Sequence, residues 1–101
     1  MLDREFFLGF IKIHILYHAA KEPVYGADIA EELARHGYII SPGTLYPTLH
    51  RLSKEGFLTC ETRLVEGIIR KYYRATPAGK RILKDSREKI RELVDEVMEG
   101  E

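Results

Sequence analysis

Apolar residues dominate the first stretch of the chain. Phe6, Phe7, Leu8, Phe10, Ile11, Ile13, Ile15, Leu16 and Tyr17 point in nearly every direction of a helix predicted over Asp3 to Lys21, in which Gly9 is the one potential breaker. A helix that is apolar all round is buried on more than one side. One side can face its own domain, and the other implies a second subunit. Pro23 ends this helix. Gly26 to His36 then has the spacing of a second one, with Ile29, Ala30 and Leu33 inward and Gly37 as a left-handed residue after its end. Tyr38-Ile39-Ile40 is short, partly β-branched and apolar, and predicts a small strand.

Ser41-Pro42 combines a hydroxyl N-cap with proline at the first helical position, so a third helix is predicted from Pro42 to about Glu55, stopped by Gly56. At helical spacing Leu45, Leu49 and Leu52 share one face. Gly43, Thr44, Pro47, His50, Arg51 and Lys54 take the opposite half, with Tyr46 at the boundary. Pro47 lies past the first turn and predicts a slight distortion of that helix. Phe57 to Val65 and Arg70 to Ala75 read as a hairpin around Glu66-Gly67. Alternation places Leu58, Cys60, Tyr73 and Ala75 inward, with Tyr72 and Arg74 outward. Thr76-Pro77 repeats the cap-plus-proline device and opens a last helix to about Glu99, roughly 35 Å long at 1.5 Å per residue. Its stripe of Leu83, Ser86, Ile90, Leu93 and Val97, widened by Ile82, Val94 and Met98, has no fourth-helix partner in so short a chain and predicts packing against another copy.

The 101 residues carry no net charge, yet the charges are segregated. Residues 1–34 hold three basic against six acidic side chains, residues 85–101 three against seven, and residues 35–84 ten against three, a local +7. A local field, not the total, attracts phosphate over a Debye length of about 10 Å. Asn and Gln are absent, and 32% of the residues are charged with both signs interspersed, a composition that leans thermophilic. It also removes the usual bidentate readers of adenine and leaves base reading to Arg, His, Ser, Thr and apolar contacts. The start of the chain lacks the pattern of a secretory signal and no apolar run approaches a bilayer span, so a soluble cytoplasmic protein is expected. A single cysteine, Cys60, has no internal disulfide partner and is expected as a small buried hydrophobe.

A helix start presented to a partner, with a cationic strand nearby, outlines a winged-helix DNA-binding domain. Tyr25-Gly26, Ser41-Pro42-Gly43-Thr44-Leu45-Tyr46-Pro47, Leu49, Arg51-Leu52, Glu55-Gly56-Phe57-Leu58 and Arg70-Lys71-Tyr72-Tyr73-Arg74-Ala75-Thr76-Pro77-Ala78-Gly79 together resemble the PadR family of winged-helix transcriptional regulators. The single last helix is similar to the short branch of that family, which dimerises through this helix and the first. The resemblance implies a mainly α fold with a small β-hairpin: a winged helix-turn-helix DNA-binding domain over residues 1–76 and a C-terminal dimerisation helix over 77–101. The implied function is a homodimeric, sequence-specific regulator of transcription, a repressor where it blocks polymerase, with a small-molecule effector at the dimer interface. Two departures stand out: the wing reads Val65-Glu66-Gly67-Ile68-Ile69 where the family is commonly rich in Gly and Arg, and the tryptophan that some members use against planar drugs is absent.

On this reading the third helix enters the major groove and Ser41, Gly43, Thr44, Tyr46, Pro47, His50, Arg51 and Lys54 face double-stranded DNA, Arg51 being the fork suited to guanine or phosphate. Tyr46 stands equally for a phosphate contact or a half-buried packing residue. Arg70, Lys71, Tyr72 and Arg74 form the wing's share, with the cations on phosphates. Phe6, Phe7, Phe10, Leu83, Ile90, Leu93, Val94 and Val97 form the expected dimer interface. His14 and His18, four apart, have chelating spacing, but the sequence places no third ligand beside them, so neither a metal nor a cofactor is expected. The alternatives are a winged-helix protein-interaction module, favoured by the apolar Ile68-Ile69, and an enzyme, for which no nucleophile, phosphate loop or paired carboxylates are legible.

Overall fold

The computed structural model describes residues 4–100; the calls on Met1 to Asp3 and on Glu101 lie outside them. The elements are α1 (Arg4–Lys21), β1 (Val24–Tyr25), α2 (Gly26–Arg35), α3 (Pro42–Lys54), β2 (Leu58–Val65), β3 (Ile68–Ala75) and α4 (Pro77–Val94), the last prolonged by a π-helical segment, Asp95–Glu99. β1, β3 and β2 form one antiparallel sheet with β3 in the middle. Ile11, Ile15, Leu16 and Ala19 of α1 meet Ile29 and Leu33 of α2, Leu45, Leu49 and Leu52 of α3, and Leu58, Tyr73 and Ala75 of the sheet in a single core. The inward faces read for α2 and α3 are thus the ones buried, Ala30 partly so.

The third strand departs from expectation. Tyr38-Ile39-Ile40 is not a strand; Val24 and Tyr25 occupy the sheet edge instead, opposite Tyr73 and Tyr72. Tyr38 is held by side-chain packing, its ring against Phe7 at 5.2 Å and near His14 at 5.4 Å, while its N–H caps α2 at the Leu33 carbonyl. Gly37 and Gly56, both at φ +86°, end α2 and α3 in the left-handed conformation that side chains with a Cβ disfavour. α3 stays α-helical through Pro47.

β3 begins two residues earlier than predicted, because Glu66 (φ 51°) and Gly67 (φ 80°) make the whole connection. Two successive left-handed residues match the twist of a hairpin. The resulting register, Val65 with Ile68 and Arg63 with Arg70, sends the hairpin far past the core. β2 is an edge strand whose residues are exposed from Thr59 to Leu64, so Cys60, expected inside, is exposed although it faces the same way as Tyr73.

α4 is anchored at its root and free at its end. Gly79 sits so close to the Phe57 carbonyl oxygen that an added Cβ would lie 2.1 Å from it. Thr76 caps the helix, its hydroxyl accepting the Gly79 N–H (3.0 Å) and donating to the Gly56 carbonyl (2.6 Å). Leu83, expected at a subunit interface, is buried in the protomer's own core, and Phe7 packs on that core as well. Past Ser86 every described residue of the helix is exposed, including Leu93, Val97 (64%) and Met98 (75%). The chain is accordingly elongated, 56 × 29 × 20 Å with a radius of gyration of 14.7 Å, against about 13 Å for a compact chain of this length.

Candidate nucleic-acid interface

α3 is gripped from behind and open in front. Leu45, Leu49 and Leu52 lock it to the core, and buried Thr48, which the sequence reading passed over, ties its hydroxyl to the Thr44 carbonyl at 2.7 Å. Gly43, Tyr46, Pro47, His50, Arg51 and Lys54 are exposed along the outward face, with Ser41 exposed at its start and Thr44 half-buried. Ser41 has the extended backbone of an N-cap, but its hydroxyl turns to Thr44 Oγ1 (3.3 Å) instead of capping a backbone N–H. Pro42 has no N–H and Thr44 and Leu45 both donate to the Ser41 carbonyl, so the first turn leaves the Gly43 N–H at the positive end of the helix dipole, a setting suited to phosphate.

Tyr46 is fixed by an unexpected neighbour. An added Cβ on Gly26 would lie 2.5 Å from the ring's Cε1, so the ring lies directly over the start of α2 while 48% of the residue stays exposed. The packing reading of Tyr46 is the one this geometry shows, with the rest of the residue left exposed. The glycine of the Tyr25-Gly26 pair is explained by this contact.

The sheet's outer face carries an alternating ladder of cations and aromatics. Arg70 lies over the Tyr25 ring at 4.7 Å, Arg63 over the Tyr72 ring at 4.4 Å, and the two tyrosines are 5.4 Å apart. These stacks stiffen long side chains that would otherwise lose entropy on binding. Arg63 was missed by the sequence reading; counting back from a two-residue Glu66-Gly67 turn pairs it with Arg70 and would have found it. Arg74 belongs to the same face. Lys71 does not: it pairs with Thr62 on the opposite face, the one that carries Tyr73, Ile69 and Leu64, so the expected Arg70, Lys71, Arg74 set is split by strand alternation. Glu61 joins Arg63 through a 2.8 Å hydrogen bond, and that bond and the guanidinium charge hold its carboxyl below the usual range, with Arg74 adding to the effect. Among the described residues, Arg51, Lys54, Arg70, Lys71 and Arg74 make no ion pair.

Between α1 and the end of α2 the structure supplies the third histidine that the sequence did not place. His36, at the end of α2, joins His14 and His18 of α1, and their ring nitrogens lie within 4.8 Å of one another. No sequence spacing links His36 to that pair, since helix packing alone brings it there.

The model for the transcriptional regulator PadR-like family matches residues 15–85. The chain belongs to that family. This PadR-like chain is 52% identical over 98 residues to transcriptional regulator Rv3488 of Mycobacterium tuberculosis, covering 97% of this chain and 92% of the relative. Its fold is similar to the crystal structure of a PadR family regulator from Eggerthella lenta DSM 2243, with TM-score 0.80 and 35% identity over 90% of this chain and 80% of that one. It is also similar to Bacillus subtilis PadR, solved in complex with operator DNA, with TM-score 0.68 and 29% identity; there the match takes in 75% of this chain and 45% of that one. The PadR-like family and these relatives are transcriptional regulators and not enzymes. No described helix is long and apolar enough to cross a membrane.

Proposed function

We propose that this PadR-like protein is a homodimeric, cytoplasmic repressor that binds a specific double-stranded operator with α3 in the major groove. The observation that carries the reading is the outward face of α3, where Arg51 and Lys54 stand exposed without an ion pair among the described residues. Arg51 is the base-reading or phosphate fork, Tyr46 and the backbone at Gly43 meet phosphate, and Thr44 and His50 complete the helix's contacts. Arg63, Arg70 and Arg74, steadied by Tyr25 and Tyr72, contribute affinity without sequence information. The operator complex of Bacillus subtilis PadR supports the choice of partner.

Residues 77–101 serve as the dimerisation helix of a DNA-binding unit formed by 1–76, with Ile90, Leu93, Val94 and Val97 meeting Phe6 and Phe10 across the two-fold axis. All but Phe10, which is half-buried, are exposed in the protomer. An effector would enter the hollow between the subunits beside the α1 aromatics. Footprinting on the duplex upstream of the protein's own gene is the test. A dimer predicts two protected half-sites separated by one helical turn or a multiple of it; a single unpaired footprint, or none, contradicts the proposal. The apolar wing, with Leu64 and Ile69 each 73% exposed, favours a protein-binding module as the second reading. Salt separates the two, because phosphate contact weakens steeply as salt rises.

A further inference from the structure

We propose that His14, His18 and His36 bind a divalent transition-metal ion of the zinc class, with Glu32 at the edge of the site. The placement starts in the helix period: residues four apart share a face, so α1 offers two imidazoles side by side. α2 packs across them and ends in His36, whose ring stacks on His14 with centroids 4.8 Å apart. All three ligand atoms then fall within 4.8 Å of one another. Zinc–nitrogen bonds of about 2.0–2.1 Å require nitrogens about 3.4 Å apart in a tetrahedron, so side-chain rotations that move each nitrogen by about 1 Å or less close the set.

The chemistry of the donors agrees. Burial, followed by the His36 and His18 rings, holds His14 below its ordinary value against an opposing pull from Glu32. A neutral ring presents a lone pair, which is what a metal ligand needs. Glu32 Oε2 stands 3.7 Å from His18 Nε2 while its Oε1 accepts from Arg35, so one carboxylate oxygen is left to orient an imidazole or to offset the ion's charge. Lys21 and Arg87 line the same hollow, and the Lys21 ammonium donates to the hydroxyl of Tyr17, another lining residue, at 3.2 Å. Three nitrogen donors with one place left for water or carboxylate suit zinc, cobalt or nickel better than calcium or magnesium. The bound ion would staple α1 to the end of α2. The site lies apart from the outward face of α3, so it stands or falls independently of the DNA-binding reading.

The experiment uses the full chain without a histidine tag, titrated with Co²⁺ by visible absorption and with Zn²⁺ in competition. The expected result is saturable binding of one ion per chain, displaced by Zn²⁺, with a thermal midpoint that rises with Zn²⁺. His36→Ala, a substitution at an exposed helix end, should weaken binding more than about 10-fold and abolish the thermal shift. Cys60→Ser, which removes an exposed thiol outside the cluster, should change neither. Equal affinity in wild type and a folded His36→Ala protein, or no saturable binding at micromolar ion, overturns the site. Should His36→Ala lose its circular-dichroism signal of helix, His18→Gln is read in its place by the same criteria.

Discussion

Replacing Gly79 by alanine tests how the last helix is rooted. The new Cβ would lie 2.1 Å from the Phe57 carbonyl oxygen and 3.1 Å from its carbon, both backbone atoms, with Leu16 Cδ2 at 3.4 Å. Carbon–oxygen contacts settle at about 3.3 Å or more, so either the helix or the strand entry must move by about 1 Å. The Phe57 carbonyl also accepts the Thr76 N–H at 3.1 Å, and Thr76 caps α4 through Gly79 itself, so the movement strains both the clasp and the cap. Over-packing costs about 1–3 kcal/mol and a weakened cap about 1 kcal/mol. Alanine regains at most about 1 kcal/mol of helix propensity, less in a first turn. The net expectation is a loss of about 1–3 kcal/mol, or a fall of about 4–8 °C in thermal midpoint per kcal/mol at fixed protein concentration. Circular-dichroism melts and urea titrations of the two proteins measure it. A Gly79→Ala protein as stable as wild type, or more so, would refute the close approach from which α4 is built.

Further predictions concern the interface and the dimer. Arg51→Ala should weaken operator binding by about 1–3 kcal/mol if the contact is to a base, measured by anisotropy against the cognate duplex. Arg63→Ala should lower the salt slope of binding by about one phosphate contact, while Lys71→Ala, on the other face of the wing, should leave it nearly unchanged. Leu93→Asp should shift sedimentation toward monomer at micromolar concentration, since it places a charge in the middle of the exposed stripe. Glu61 should titrate below the ordinary carboxylate value by NMR and move back toward it in Arg63→Ala. Its folded value is depressed, so its contribution to the wing is full above the ordinary value and is lost as pH falls through the lowered one.

The helices were legible because each carries its own punctuation: Ser41-Pro42 and Thr76-Pro77 at starts, Gly37 and Gly56 at stops, and leucines at helical spacing between. The outward face of α3 followed directly from that spacing. The third strand was misplaced because two residues of β pattern cannot be told from an apolar linker; Val24-Tyr25 is a strand only because β3 offers it an edge, and Tyr38 is not because its ring has α1 to pack on. The Cys60 and Leu83 errors share a cause. Periodicity says which way a side chain points and not whether anything covers it, so Cys60 points inward past the end of the core and Leu83 points into it. Arg63 was hidden by a one-turn uncertainty in the hairpin, and His36 by the absence of any sequence rule for the packing of α2 on α1.

The measurement that bears most directly on the central claim is a fluorescence-anisotropy titration of the duplex upstream of the protein's own gene beside a scrambled duplex, each at two salt concentrations. The account predicts tight binding that prefers the native duplex and falls steeply with salt. Absence of binding to either duplex at the lower salt would contradict it.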